Sequence, residues 1–550
     1  MLQKKIAYPL IFITTVLIYT IFIARNGYED WDTGFISGMA WRLVKGEVMY
    51  RDFIYTKTPF SPYYTATLMR LLPQEGQFYF IKCINSIVFA LQVCLTVLAI
   101  NNIYNLKKYG INVWGFVTVG FIISLLNYPM YPWYTPDGLF FASAALYVKS
   151  RNSKSYASLL FIALLVLLSA LCKQSYYPVP IIFLVWVFID YGFKKAAAFL
   201  GIFLLLTGVF IGIITRVTSL HNFLDCITGQ TRLYDVYYSC IYGYAHKNYK
   251  LYLLIIAASI LIGINYKSVK QTSFTVIFKW LIICQFVAAI ILYCIGEAQL
   301  GSIIAFNSCA LAGIYNIFVL KREISYLYPA AALLGIAWCS SVSWGYPYPT
   351  LFASAIIAVY FILSDGFLSQ KIVSKKNILA VVMCIVAFAY NLYPYRSGVV
   401  TDLDYDMGAI SPKLKYIRTN KENFDKFLQL KELIDKYGPV YITATHYPGT
   451  YYIFDKTNPL TAGWMINSEI NFKLDKMLAE AANSNGYIFL DNEYKPIFDA
   501  GEAEASNKTL FSAYIAENCT PIEKLRYFTV YDTKELNKKL PETDKNRAIH

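Results

Sequence analysis

Apolar runs of about 18 residues recur along the first ~395 positions and are separated by short polar stretches. Runs of that length and composition suit helices that cross a bilayer. By hydropathy they fall at about 6–24, 80–104, 111–129, 137–148, 156–171, 177–190, 196–215, 250–265, 275–295, 301–320, 326–342, 350–364 and 377–394. Beyond residue 396 the pattern changes. An amphipathic helical period over 420–436 ends at Tyr437-Gly438-Pro439, and VYITAT (440–445), GYIFLDN (486–492) and RYFTVYD (526–532) read as strands. The expected fold is therefore a polytopic α-helical membrane protein of about 13 transmembrane helices (1–395), followed by a small C-terminal extracytoplasmic α/β domain (396–550).

Two polar segments break the helical rhythm. The first, the loop 25–78, holds a helical pattern in which Phe35, Ile36, Met39, Ala40 and Leu43 share one apolar face. Arg42 and Lys45 lie off that face, and Gly46 is a natural stop. This predicts a helix lying on the membrane surface. The run 59–72 is short, contains Arg70 and reads as a second surface helix. The second polar segment is a hydrophilic loop at about 216–249.

Charge then orients the chain. Lys4-Lys5, Lys107-Lys108, Lys149/Arg151/Lys154, Lys194-Lys195, Lys267/Lys270, Lys321-Arg322 and Lys371/Lys375/Lys376 all fall at alternate ends of the spans. The positive-inside rule puts them, and the N-terminus, in the cytoplasm and the C-terminal domain outside. Residues 1–24 read as a transmembrane helix, since no small-residue cleavage site follows and Arg25 comes next. The expected location is the inner (plasma) membrane.

Composition agrees. The chain is 57% hydrophobic and 15% charged, against about a quarter charged in soluble proteins. Its net charge of +14 comes from the membrane part, where about 29 basic residues face about 13 acidic ones. The excess is a topology signal, and no nucleic-acid partner is expected. Most of the eleven cysteines sit in apolar runs, although Cys226 and Cys240 share one loop where a disulfide is open to them. The four histidines lie outside the apolar runs, which argues against a histidine-based acyltransferase in the membrane, and no zinc-type Cys/His spacing occurs.

Candidate chemistry sorts to the outer ends of the helices. It comprises Asp30, Asp32, Asp52 and Lys57 from the first loop, Asp137 in TPDG, Lys173-Gln174 in LCKQ, Glu297 in GEAQ, and His221, Asp225 and Arg232 in the 216–249 loop. Helix interiors are nearly free of charge, whereas transporters place ionisable groups along the depth of the bilayer. Each candidate has a plainer reading. Asp32 and Asp137 also suit helix caps, Asp30 and Arg232 solvated loop charges, and Lys57 a snorkelling anchor. Lys173 is harder to dismiss, because positive charge on the outer side is not favoured by topology.

With these residues in hand, the chain resembles membrane glycosyltransferases of the GT-C superfamily. The likeness is to the bacterial branch of aminoarabinose–lipid A transferases, protein O-mannosyltransferases and rhizobial galacturonosyltransferases. It rests on Asp32-Thr33-Gly34, Gly46, Tyr50-Arg51-Asp52-Phe53 and Lys57-Thr58-Pro59, with further matches at Pro136-Asp137, Lys173-Gln174 and Tyr328-Pro329. Thr33 stands where an acidic residue is common, and Thr58 replaces the first proline of a double-proline turn.

The resemblance implies transfer of a sugar from a polyprenyl-phosphate donor to an acceptor hydroxyl on a glycan, lipid or protein at the outer face, with inversion. It gives Asp32, or else Asp30, the role of base. Lys57 with Lys173 and Arg232 would bind the donor phosphate, and Asp137, Asp52 and Gln174 would be sugar-binding or supporting groups. No metal is expected, although some members of the superfamily use a divalent ion. A flippase or exporter of lipid-linked sugars, and a polymerase or ligase with a late external loop, are the competing readings.

Overall fold

The computed structural model describes residues 2–125, 130–229, 233–245, 249–265, 273–342, 349–365, 376–393, 397–444, 447–471, 473–493 and 509–540. Each of the thirteen apolar stretches contains a helix. Helix α1 is Leu2–Ala24; α2 (Asp32–Val44) and α3 (Phe60–Leu71) belong to the first loop; α4 is Gln77–Tyr104 and α5 Val113–Ser124. They are followed by α6 (Tyr134–Ser150), α7 (Tyr156–Ala170), α8 (Val179–Tyr191), α9 (Phe193–Val217), α10 (Leu220–Gly229) and α11 (Leu233–Ala245). The bundle is completed by α12 (Tyr249–Asn265), α13 (Ser273–Cys294), α14 (Ala298–Phe318), α15 (Ile324–Ser341), α16 (Ala353–Leu363) and the helix Lys376–Asn391. Among the described residues six helices are long and apolar enough to cross a membrane, and four shorter apolar helices accompany them. The protein is a polytopic helical membrane protein.

The bundle has its own core, centred on Val93, Leu139, Ile162, Phe183, Ile304 and Val359. Tyr328, just before Pro329 inside α15, donates to the Ile182 carbonyl of α8 at 2.8 Å. At the opposite end of α6, Lys149 is buried and ion-paired with Asp190 beside the Trp186 and Tyr191 rings. It is thus a tether between α6 and α8.

Two expectations about the polar segments change. The 216–249 stretch is largely helical, holding α10 and α11. Its Cys226 and Cys240 are free thiols in different apolar clusters, so they form no disulfide. Helix α2 is not a half-exposed surface helix, since every residue from Thr33 to Leu43 is buried. Its second face is built of small residues, Gly34, Ser37 and Gly38, which let Pro448 and Gly449 of the C-terminal region approach. A Cβ on Gly38 would lie 2.4 Å from the Pro448 carbonyl oxygen. Arg42, read as lying off the apolar face, is covered as well. It donates to the Leu460 carbonyl at 2.7 Å and pairs with Glu47. The stop at Gly46 is as expected, with a φ of +93° that a side chain would disfavour.

The C-terminal region carries a four-stranded mixed sheet. Two short strands come first, β1 (Tyr405–Asp406) and β2 (Arg418–Thr419), which pair with each other. Next come β3 (Tyr441–Ala444), β4 (Tyr487–Asp491), β5 (Glu523–Lys524) and β6 (Phe528–Asp532), in the order β3-β4-β6-β5. β3 and β4 run parallel and the other pairs antiparallel. The helix Lys421–Tyr437 packs on this sheet through Phe427, Leu430 and Ile434.

One hydrophobic core runs through this region and the first loop. Phe35, Met39, Phe53 and Tyr55 join Leu430, Tyr441, Tyr452 and Phe489 in a single cluster. The backbones are also tied, because Gly27 donates to the Arg418 carbonyl at 2.9 Å and Arg418 to the Arg25 carbonyl at 2.7 Å. The first loop is therefore packed between the bundle and the C-terminal region.

Candidate active site at the helix ends

The first loop turns back at residues 54–58, where the Ile54 amide donates to the Thr461 carbonyl at 2.8 Å. This brings Lys57 inward. Its side chain is buried and ion-paired with Glu469 of the C-terminal region, while Thr56 donates to the other Glu469 oxygen at 2.7 Å. The Lys57 ammonium lies 5.1 Å from the Phe35 ring centroid and 5.5 Å from that of Tyr134. It is a buried, fully engaged cation and not a snorkelling anchor.

Lys173 arrives at the same place from the turn after α7. Its ammonium is 5.2 Å from the Tyr134 centroid and donates to Thr135 Oγ1 at 3.2 Å and to the Val342 carbonyl at 2.7 Å. Burial, and then the nearby Lys57 charge, bring it down to about 7, with Cys240 and Asp32 acting in the opposite sense. Gln174 follows and donates to the Thr56 carbonyl at 2.9 Å, so the turn that carries one lysine braces the loop segment that carries the other.

Asp32 stands in the electrostatic reach of Lys173. It is half-buried, and it is not the cap of α2. That work is done by Glu29, whose carboxylate accepts the amides of Trp31 and Asp32 at 2.9 Å each and of Thr33 at 3.1 Å. A helix start so capped holds Asp32 at a fixed place.

Asp30 is in a different environment and is not a solvated loop charge. It is buried, accepts the Tyr28 hydroxyl at 2.7 Å and the Gly449 amide, and is walled by Gly34 and Gly449. Burial pushes its carboxyl well above the usual range, against the pull of Tyr28. Asp30 is thus a joint between loop and C-terminal region. Asp137 is not the N-cap residue, which is Trp133, but its carboxylate accepts a backbone hydrogen bond from Trp133 and so helps to cap the helix. It lies inside the first turn of α6, and its carboxylate accepts the Ser61 hydroxyl of α3 at 2.6 Å. Asp52 stays at the surface, where it clamps Arg51 at 2.8 Å, and that pairing holds its carboxyl below the usual range. Asp225 pairs with Lys473, and Glu297 is exposed at the start of α14. Arg232 lies outside the described residues.

The structure therefore gathers Lys57, Lys173, Gln174 and Asp32, sets Asp137 beside them on α6, and leaves Asp52 apart. Sequence reasoning did not identify Glu469, Glu29, Tyr134 or Thr135. Only Glu29 had a local signal, an acid three residues ahead of a helix start. An apolar cavity lies within the bundle, lined by Ile123, Phe286, Tyr293, Gly301, Ala305 and Met383, and none of the residues of the cluster lines it. Among the described residues no group of three or more His, Cys, Asp or Glu side chains gathers as a metal site.

The chain matches no protein-family model and no curated protein. Among solved structures it is similar to ArnT from Cupriavidus metallidurans bound to undecaprenyl phosphate, at 10% sequence identity and a TM-score of 0.40, over 95% of this chain and 97% of that one.

Proposed function

We propose that this protein is a membrane glycosyltransferase that moves a sugar from a polyprenyl-phosphate donor to an acceptor hydroxyl at the outer face of the inner membrane. The observation that carries this reading is the convergence of two ammonium groups, the buried Lys57 and the half-buried Lys173, on the ring of Tyr134 at the ends of membrane helices. Cations placed there suit an anionic headgroup whose tail stays among apolar helices.

In this reading the acceptor oxygen attacks the anomeric carbon as Asp32 takes its proton. The bond from that carbon to the phosphate oxygen breaks, and its electron pair stays on the phosphate. Lys57 and Lys173 balance the charge that develops there. Attack opposite the leaving group inverts the anomeric centre. Asp137, through Ser61, and Gln174, through Thr56, hold the elements that carry these groups.

The test is incorporation of labelled sugar from polyprenyl-phosphate-linked donors in membranes, with wild type compared to Asp32→Asn at equal expression. Transfer by wild type that is lost in the variant supports the reading. Equal transfer by both removes Asp32 from the chemistry. No transfer by either, together with movement of the lipid-linked sugar across the bilayer, replaces the transferase with a flippase.

A further inference from the structure

Glu469 stands 412 positions from Lys57 in the chain, yet it is the carboxylate on that lysine. Both side chains are buried, with 8% and 7% of their surface exposed. A buried ammonium without a counter-charge is costly, and removing one partner of such a pair strands the other. The same ammonium lies over two aromatic rings and touches Thr56 Oγ1 at 3.1 Å, so its position is set on several sides. Lys173 at the shared ring has neutral hydrogen-bond partners, a hydroxyl and a carbonyl. A carboxylate and a phosphate draw on the same donors, so an anionic headgroup drawn to this pair of lysines competes with Glu469 for Lys57.

We propose that Glu469 is the resident counter-anion of Lys57, displaced when the phosphate of a lipid-linked sugar binds, so that the C-terminal region sets how tightly the site holds phosphate. The proposal rests on the reading that Lys57 and Lys173 receive that phosphate. It gives the C-terminal region a task in turnover. The leaving polyprenyl phosphate carries more negative charge than the donor and would be held hardest of all. A carboxylate poised to return to Lys57 hastens its release.

The experiment measures binding of polyprenyl phosphate, polyprenol and inorganic phosphate to the full-length protein in nanodiscs, with steady-state turnover alongside. The variants are Glu469→Gln, Glu469→Asp and the double variant Lys57→Gln/Glu469→Gln. Glu469→Gln is expected to bind polyprenyl phosphate about tenfold tighter than wild type, the scale of one charge interaction in a partly buried site. Both kcat and KM should fall, while polyprenol binding stays unchanged. Glu469→Asp keeps the charge on a shorter arm and shifts affinity the same way by less, and it carries the test if the glutamine variant fails to fold. The double variant should lose the gain. Tightening for inorganic phosphate as well locates the competition at the headgroup, and tightening for the lipid phosphate alone locates it at a headgroup positioned by its tail; both support the proposal. Wild-type or weaker binding by both single variants, with weaker binding still in the double variant, overturns the counter-anion role and leaves the phosphate site standing. Equal binding by Glu469→Gln and the double variant shows that Lys57 is not in the phosphate site and overturns the underlying reading.

Discussion

Lys57 and Lys173 come from segments far apart in the chain and present their ammonium groups to one ring, 5.5 and 5.2 Å from the centroid of Tyr134. Like charges gather this way where an anion is to be held, and their mutual repulsion is part of why Lys173 titrates near neutrality.

A pH dependence follows. Lys173 is charged below about 7 and neutral above it. Donor kcat/KM is expected to fall as pH rises through that value, and Lys173→Arg, which keeps its charge, should flatten this limb. Stability should move the other way. The unfolded lysine keeps its proton up to its ordinary value of 10.5 while the folded one releases it near 7, so between these values the unfolded state binds more protons and stability rises with pH. Activity and thermal melting across that window check both signs.

Capping and catalysis can be separated at the start of α2. Asp32→Asn should lower kcat by about 10²-fold or more, the usual worth of a general base, with an unchanged melting temperature. Glu29→Ala, which removes the acceptor of three amides, should cost about 1 kcal/mol of stability. A melting loss in the Asp32 variant equal to that in the Glu29 variant would return Asp32 to a structural role.

The joint under Asp30 titrates too. Its carboxyl is held well above 3.8, so the folded state binds this proton more tightly than the unfolded one. The stability it contributes is present in acid and is lost as pH rises from the ordinary carboxylate value through the folded one. Asp30→Asn, neutral at every pH, should melt no lower than wild type at pH 7 and should show a flatter profile. A marked fall in melting temperature at pH 7 would mean that the charged form is the one the joint needs.

The small-residue face of α2 makes a steric prediction. Gly38→Ala puts a methyl group 2.4 Å from a backbone oxygen and should destabilise the protein by about 1–3 kcal/mol, as overpacking does. Gly208→Ala in α9, with nothing within 4 Å, is the control and should be neutral or slightly stabilising. Melting curves of the two variants decide it.

Much of this was legible along the chain, for reasons that differ by element. The spans announce themselves because a bilayer demands long apolar runs, and β3, β4 and β6 because each is a short β-branched or aromatic run between turns. Helices α10 and α11 did not, because they are short and mix polar with aromatic residues. The second face of α2 was silent, since Gly34, Ser37 and Gly38 signal closeness by size and not by hydropathy. Lys173 stood out as a positive charge in a turn that the positive-inside rule assigns to the outer side, and Lys57 and Asp32 through a resemblance in the first loop. Glu469 had no local mark at all, because its meaning comes from a contact across more than four hundred residues.

The core shared by the first loop and the C-terminal region also governs the order in which the protein can be made. Trp41 donates its indole N–H to the Lys456 carbonyl, 415 positions later. At synthesis rates of about 5–20 residues per second, the first loop emerges on the order of 20–80 seconds before its partner exists. For that interval Phe35, Met39 and Phe53 lack the C-terminal part of the cluster they share, and the long loop closes only when that region is made. Nascent chains shortened anywhere before about residue 470 should therefore hold an inserted bundle with an unfolded, protease-open first loop, so a stretch made hundreds of residues later completes the first.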